Sequence, residues 1–438
     1  MKRKMRFLNF MLAGCLLLTA CGSNETKNDK IINEDANSTG FTPVPIDGEI
    51  QNVTENEELY NRMIASSLIS TGNNTRLKNV IEKARNGEEV WISTIGGSIT
   101  EGALATVNTK CYAYLMYQQF AAAYGVNGGE NVHFINAGVS GTPSTLGMIR
   151  YEAYTKDITG VEPDLVIVEF AVNDGDDPTN GDCYESLVRN ILLQENDPAV
   201  VLLFSVFQSQ WNVQERMKPI GKQYDLPMVS IKNAIGPRIS LGYLNNEDFF
   251  ASDGWHPTNF GHQIMADCMK YLFETVDTEE RAESDITITD EVAVGNSFEG
   301  IVAFGASTVP DGVSYSAGMF TEKDTAVCSL QYDNSRNIFP DNWKRDINSS
   351  KSMTFKINCK NFVIAYKSSS SSNAGAIDVY VDGKLTSTIN SYSAGAWNNA
   401  GTVIIFNDEK ASKHSIEIKM AQGSEEKDFT ILRIGYTK

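Results

Sequence analysis

The chain has 438 residues and carries 37 Lys and Arg against 55 Asp and Glu, which gives a formal charge of −18. This length is ample for two folded domains. The acidic balance argues against nucleic acid and anionic polymers as partners and favours a neutral or cationic one.

The first 21 residues have the layout of an export signal. A basic start precedes the apolar run 7–18, which is too short to span a bilayer as a helix. The run leads into Leu-Thr-Ala-Cys-Gly, which resembles the bacterial lipobox and implies that Cys21 is lipidated. A plain secretory signal is the alternative. We therefore expect a lipid-anchored protein of the bacterial cell envelope, outside the cytoplasm.

Residues 22–55 are rich in Asn, Asp, Ser, Thr, Glu and Gly and have almost no apolar periodicity. This composition predicts a disordered tether that holds a folded body away from the membrane. No later apolar stretch is long enough to cross a bilayer.

The seven cysteines do not form a metal-binding or disulfide pattern. Two lie in the leader, and the other five show no CxxC spacing: Cys111, Cys183, Cys268, Cys328 and Cys359. No zinc site or disulfide framework can be read from them. Buried thiols are the favoured interpretation, and a Cys328–Cys359 bridge is the alternative.

Residues 56–278 alternate between strand-like and helical patterns. Apolar runs typical of buried parallel strands occur at 90–95, 133–136, 164–170, 200–205 and 227–231. Helical stretches such as 113–124 and 184–195 lie between them. The alternation predicts a doubly wound α/β domain with a parallel sheet.

After an acidic link, residues 286–438 change character. Helical periodicity stops, and short alternating runs occur at 352–357, 362–366, 376–383, 402–406, 415–419 and 429–434. Polar residues and glycines punctuate these runs. The pattern predicts a second domain, an all-β sandwich.

A candidate nucleophile follows the first strand of the α/β domain. Gly96, Gly97 and Ser98 stand where the strand gives way to a helix-compatible stretch. This position is the carboxyl edge of the sheet, where open α/β folds place their sites. An ordinary glycine-containing turn is the alternative for this segment alone.

Three further segments follow later strands and supply possible partners for Ser98. Gly141 offers a backbone N–H that no side chain shields, and the Asn173 amide can donate to a developing oxyanion. Asp253 precedes His256 by three residues, so one loop can present an imidazole with its carboxylate behind it. Each segment also has an ordinary structural interpretation as a loop or helix cap.

These segments resemble the SGNH, or GDSL, hydrolase superfamily, in order and approximate spacing, from residue 91 to residue 273. The resemblance implies a flavodoxin-like three-layer domain in which Ser98 is the nucleophile, His256 the general base and Asp253 the residue that orients the histidine. It implies an oxyanion hole made by the backbone N–H groups of Ser98 and Gly141 and by the Asn173 amide. No metal or organic cofactor is required.

One residue departs from the family's motif, and several other polar residues are given no catalytic role. The family's name motif has aspartate before the serine, where this chain has Gly97. This difference bears on subfamily more than on activity. We expect Asp174 to support loop geometry and His262, inside the following helix, to be structural. No role is assigned to His133 or His414.

An exported esterase with an appended β domain resembles carbohydrate esterases that remove O-acetyl groups from polysaccharide, and the C-terminal region is similar to their jelly-roll domains. Trp255 and Trp211 are candidate sugar-stacking residues, with rim packing as the alternative. The expected substrate is therefore a neutral acetylated polysaccharide. Alternatives are a lipase or lysophospholipase, peptidoglycan or capsule O-acetyl editing, and a non-catalytic glycan-binding lipoprotein. The β domain could bind glycan, cover the site or act as a spacer.

Overall fold

The computed structural model describes residues 52–155, 160–326, 329–330 and 333–438. The predicted leader, Cys21, nearly all of the tether and Cys328 lie outside the described residues. Within the described ranges, no helix has both the length and the apolar character needed to cross a membrane. Cys111, Cys183, Cys268 and Cys359 are buried free thiols.

The first domain is built on a sheet of six strands. They are β1 Leu68–Ser70, β2 Val90–Gly96, β3 Val132–Gly138, β4 Leu165–Glu169, β5 Ala199–Phe204 and β6 Met228–Ser230. Their order across the sheet is β1-β6-β5-β4-β2-β3, and only β1 runs antiparallel to its neighbour. The five parallel strands, counted along the chain, therefore lie in the order 2-1-3-4-5 of flavodoxin-like folds. The short edge strand β1 was not predicted.

Helices cover both faces of this sheet. They are α1 Glu57–Ala65, α2 Thr75–Arg85, α3 Ser98–Glu101, α4 Tyr112–Tyr124, α5 Ser144–Tyr154, α6 Asp182–Leu192, α7 Gln214–Gln223, α8 Ile231–Ser240, α9 Asn246–Phe249 and α10 Asn259–Thr278. Leu165 and Ile167 of β4 enter the core beside α4 and α10, whereas Val166 and Val168 enter the core beside α5 and α6. Because successive strand residues point to opposite faces, a strand covered on both faces is apolar throughout.

The C-terminal domain is all β. Its strands are β7 Val302–Phe304, β8 Ser314–Ser316, β9 Ser329–Leu330, β10 Asp333–Asn337, β11 Trp343–Lys344, β12 Met353–Ser369, β13 Ala376–Val381, β14 Lys384–Asn390, β15 Trp397–Met420 and β16 Thr430–Thr437. All but β9 and β10, which pair with each other, join one antiparallel eight-stranded sheet. The predicted fold class, an α/β domain followed by an all-β domain, is confirmed.

Two pairs of predicted short strands are in fact single long ones. The runs at 352–357 and 362–366 both belong to β12, and those at 402–406 and 415–419 both belong to β15. Both strands continue through the polar segments, and the ladder between them shifts register there, between Cys359 and Asn361. The buried Asn361 amide donates to the Ser297 carbonyl, at 2.8 Å, and to the Thr437 hydroxyl, at 2.7 Å.

The two domains share a hydrophobic core. Along β12, Phe362 and Ile364 face the interior of the β domain, while Val363 and Ala365 pack in the core that contains Ile149 of α5. The strand is therefore apolar on both faces for the same reason as the parallel strands. This packing fixes the start of β15 beside the carboxyl edge of the α/β sheet.

Candidate active site

Ser98 begins α3 directly after β2, at the carboxyl edge of the sheet. The two glycines before it are required by crowding. A Cβ at Gly97 would overlap the Asn173 side-chain amide, and a Cβ at Gly96 would lie 2.5 Å from the Glu169 carbonyl oxygen. Gly97 therefore lets the loop after β4 close against the residue preceding Ser98, which gives a physical reason for glycine in place of the family's aspartate.

His256 and Asp253 face Ser98 from the loop before α10. His256 Nε2 lies 2.8 Å from Ser98 Oγ, and His256 Nδ1 lies 2.6 Å from Asp253 Oδ2. The second oxygen of Asp253 accepts the backbone N–H groups of Trp255, at 2.9 Å, and His256, at 3.1 Å. Serine, imidazole and carboxylate thus form a continuous hydrogen-bonded chain.

The environment of Asp253 favours its ionised form. Partial burial raises the pKa of this carboxyl, but the hydrogen bonds from the His256 ring and from the two backbone N–H groups outweigh it. The net pKa lies below the usual value for Asp. A carboxylate that stays charged can hold the histidine Nδ1–H and stabilise an imidazolium.

Asn173 and Gly141 lie in the loops after β4 and β3. The Asn173 amide packs against Gly97, and its buried Oδ1 has no hydrogen-bond partner among the residues that the structure describes. Gly141 has φ +69°, a conformation that favours glycine. Its neighbour Ser140 donates its N–H to Glu101, the last residue of α3, at 2.8 Å. The structure therefore brings all the residues that were predicted as oxyanion donors to one edge of the sheet.

His262, in α10, has a different environment from His256. His262 is buried: its Nδ1 accepts the Tyr112 N–H at 3.2 Å, and its Nε2 lies 3.3 Å from the Ala103 carbonyl oxygen. Burial lowers the pKa of His262 to about 4, so the ring is neutral at ordinary pH and bridges two segments.

Nowhere in the described ranges are three His, Cys, Asp or Glu residues grouped so as to hold a metal ion.

Three of the five tryptophans are exposed near these loops. Trp255, 43% exposed, adjoins His256, and Trp211, 43% exposed, covers Gly175, where a Cβ would lie 2.7 Å from the Trp211 ring. Phe207 lies between them, with ring centroids 5.8 Å from Trp211 and 6.5 Å from Trp255.

The third exposed tryptophan comes from the other domain. Trp397, the first residue of β15, is 52% exposed, and its ring would lie 3.2 Å from a Cβ at Gly141. The β domain therefore contributes an aromatic wall to the candidate site. Sequence reasoning missed this residue because nothing near Trp397 in the chain signals what packs against it.

Comparison with known proteins defines the class of this site. Residues 94–264 match the GDSL-like lipase/acylhydrolase family. The α/β domain is therefore a hydrolase domain of the GDSL/SGNH lipase-acylhydrolase type, as the motifs predicted.

Two crystal structures extend the likeness to both domains. A two-domain esterase (CEX) active on acetylated mannans is 27% identical, with a TM-score of 0.72 over 86% of this chain and 99% of that one. The same esterase co-crystallised with mannopentaose is 26% identical, with a TM-score of 0.71 over 86% and 98% of the two chains. A search of curated proteins found no match.

Proposed function

We propose that the protein removes O-acetyl groups from a neutral polysaccharide, with Ser98, His256 and Asp253 as its catalytic triad. The observation that carries this proposal is the hydrogen-bonded chain from Ser98 Oγ to His256, at 2.8 Å, and on to Asp253, at 2.6 Å. It lies beside the segments of Gly141 and Asn173, in a domain of the GDSL-like lipase/acylhydrolase family.

The reaction follows from the needs of the bond that is broken. A neutral hydroxyl is a poor nucleophile, so His256 Nε2 takes the Ser98 proton as Oγ attacks the ester carbonyl. The N–H groups of Ser98 and Gly141 and the Asn173 amide stabilise the tetrahedral oxyanion. His256 then protonates the departing sugar hydroxyl. Water, activated by His256, hydrolyses the acetyl-enzyme and releases acetate.

The substrate class rests on the aromatic surface and on the structural relatives. Flat, exposed tryptophan rings suit the apolar faces of sugar rings, and three of them line this site. The most similar structures described above belong to an esterase active on acetylated mannans. With its formal charge of −18, the protein suits a neutral glycan better than a uronic-acid polymer. We therefore place acetylated mannan first among the candidate substrates.

Acetate release tests this function directly. The protein and its Ser98→Ala variant are incubated with acetylated glucomannan, acetylated xylan and O-acetylated peptidoglycan, and free acetate is measured. We expect release from glucomannan that the variant lacks. Release from xylan or peptidoglycan alone would support the triad and identify that polymer, instead of mannan, as the substrate. No release from any acetylated sugar or simple acetyl ester would exclude the catalytic proposal.

Two rival functions predict different results. A lipase or lysophospholipase would prefer long acyl chains, so rates on 4-nitrophenyl esters that rise from acetate to octanoate would favour it. A glycan-binding lipoprotein would bind polysaccharide equally well with and without Ser98 and would cleave nothing. Binding measured by affinity electrophoresis beside acetate release separates the two outcomes.

We propose in addition that the protein is exported and anchored through a lipid on Cys21. The leader sequence, with its lipobox-like end, supports this proposal. Cells that express the protein are labelled with radioactive palmitate, beside cells that express Cys21→Ala. Label in the first and none in the second is expected, and equal labelling or none in both would contradict the anchor.

A further inference from the structure

The loop that carries Gly141 is held at both ends by carboxyl groups from neighbouring segments. At its start, Glu101 Oε2 accepts the Ser140 N–H, at 2.8 Å, and also the Ser140 hydroxyl. Glu101 is the last residue of α3, three positions after Ser98. One side chain therefore joins the nucleophile's helix to the residue just before Gly141.

At the other end of the loop, Asp174 plays the corresponding part. Its Oδ1 accepts the backbone N–H of Ser144, the first residue of α5, at 2.8 Å. Asp174 directly follows Asn173 in the chain. The segments that carry the three proposed oxyanion donors are thus joined in pairs, Ser98 to Gly141 through Glu101, and Asn173 to Gly141 through Asp174.

Close backbone packing completes this arrangement. Asn173 lies against Gly97, and a Cβ at Gly138 would overlap the backbone nitrogen of Glu101. Both carboxylates are withdrawn from solvent: Glu101 is 7% exposed and Asp174 is 0% exposed. Hydrogen bonds to buried carboxyl groups are stronger than those in water, so they can fix loop positions that weaker contacts would leave free.

We propose that Glu101 is a positioning residue, which holds the Gly141 N–H at the oxyanion position relative to Ser98, and that Asp174 does the same from the side of Asn173. This inference rests on the proposed function of Ser98. Neither carboxylate touches the reacting atoms. Their effect is on the placement of donors, for which an error of about 1 Å can cost about 100-fold in rate.

The test separates donor placement from folding. Glu101→Ala, Glu101→Gln and the exposed control Glu88→Gln are compared with the wild-type protein. The measurements are kcat and KM on 4-nitrophenyl acetate, the inhibition constant of an alkylboronic acid, and the thermal midpoint. The boronic acid forms a tetrahedral adduct on Ser98 and places an oxygen where the oxyanion forms.

We expect Glu101→Ala to lower kcat about 10- to 100-fold with KM changed less than about threefold, because the lost contact matters in the transition state. The boronic acid should bind more weakly by a similar factor. Glu101→Gln keeps an oxygen that can accept the Ser140 N–H, so it should retain more activity than Glu101→Ala. Glu88→Gln should match the wild-type protein.

Ser140→Ala adds a test that does not depend on the folding of Glu101→Ala. This variant loses the hydroxyl contact and keeps the N–H contact, so we expect a loss of only a few-fold in kcat. Combined with Glu101→Ala, it should add less than about twofold, since both changes remove one interaction.

Two results would overturn the inference. In the first, the Glu101 variants lower the thermal midpoint but leave kcat and boronic acid affinity unchanged. In the second, kcat falls while boronic acid affinity does not. A wild-type protein that neither hydrolyses the ester nor binds the boronic acid at Ser98 would instead exclude the proposed function and this inference with it.

Discussion

Two groups of Ser, His and Asp side chains in this molecule have nearly the same geometry. In the α/β domain, His256 lies 2.8 Å from Ser98 and 2.6 Å from Asp253. In the β domain, His414 lies 2.8 Å from the Ser412 hydroxyl and 2.9 Å from Asp382. By distance alone, either group could be taken for a catalytic triad.

Their surroundings differ. Ser98 begins a helix after a parallel strand, next to loops that carry Gly141 and Asn173. Ser412 lies within β15, in register with Cys359 of β12. Ser412 does not begin a helix, the position at which backbone N–H groups point towards an anion beside the serine Oγ. The comparison teaches that a hydrogen-bonded chain of Ser, His and Asp does not by itself define an esterase site. An esterase site also needs hydrogen-bond donors that face the oxyanion beside the serine.

The largest expected effect separates these two groups directly. Ser98→Ala should lower kcat on 4-nitrophenyl acetate by at least about 10⁴-fold, since the proposed nucleophile is lost. Ser412→Ala should remain within about twofold of wild type. Activity of both variants is measured after their circular dichroism spectra have been matched. Loss of activity in Ser412→Ala alone would assign the reaction to the β domain.

The second expected effect concerns the proposed oxyanion donors beside Ser98. Asn173→Ala should lower kcat about 10²- to 10³-fold, the usual cost of one such donor. Gly97→Ala should lower it by a smaller factor, because the added methyl group pushes the Asn173 amide aside without removing it. Steady-state kinetics on the same ester gives both values. If Asn173→Ala retains full activity, its amide is not an oxyanion donor.

The third expected effect tests what the β domain adds to the first group. Trp397→Ala should lower acetate release from acetylated glucomannan about 10-fold and change hydrolysis of 4-nitrophenyl acetate less than about threefold, because only the polymer reaches the ring. Leu385→Ala removes another exposed apolar side chain of the β domain and serves as the control. Equal losses on both substrates would mean that Trp397 supports the loop of Gly141 instead of contacting the glycan.

The candidate site could be assembled from the sequence because each of its parts has a local signal. Ser98, Gly141 and Asn173 each follow a parallel strand, and the carboxyl ends of such strands meet at one edge of the sheet. Asp253 and His256 are three residues apart and share one loop. The apolar strands were equally readable, since a strand buried on both faces is apolar throughout.

Features that depend on contacts between distant segments could not be read in this way. Trp397 reaches Gly141 only because β12 and β15 pack their outer face on α5. The polar segment around Asn361 suggested a break in β12. The Asn361 amide instead donates hydrogen bonds to Ser297 and Thr437, which belong to other segments, and the strand continues. Gly97 departs from the family motif, and only its contact with Asn173, 76 residues further along the chain, gives a physical reason for the glycine.

The smallest expected effect concerns one carboxyl group near Ser98, Glu169, and the Asp382 carboxyl group of the His414 group. Complete burial raises the pKa of Glu169 to about 7, although a hydrogen bond from Thr100, two residues after Ser98, lowers it in part. By contrast, hydrogen bonds from the Ser415 N–H and the His414 ring lower the pKa of the exposed Asp382. The two carboxyl groups should therefore change stability in opposite directions as pH rises.

Between its ordinary pKa of 4.5 and about 7, Glu169 keeps its proton in the native state and loses it in the unfolded chain, so the free energy of unfolding falls as pH rises. Glu169→Gln removes this titration and keeps an oxygen for Thr100. Relative to wild type, it should gain roughly 1–3 kcal/mol between pH 4 and pH 8 in urea unfolding. Asp382→Asn should show no such gain, since its carboxyl stabilises the native state only above its lowered pKa. Parallel pH profiles for wild type and Glu169→Gln would contradict the prediction, because they would show that the pKa of Glu169 is the same in the native state and in the unfolded chain.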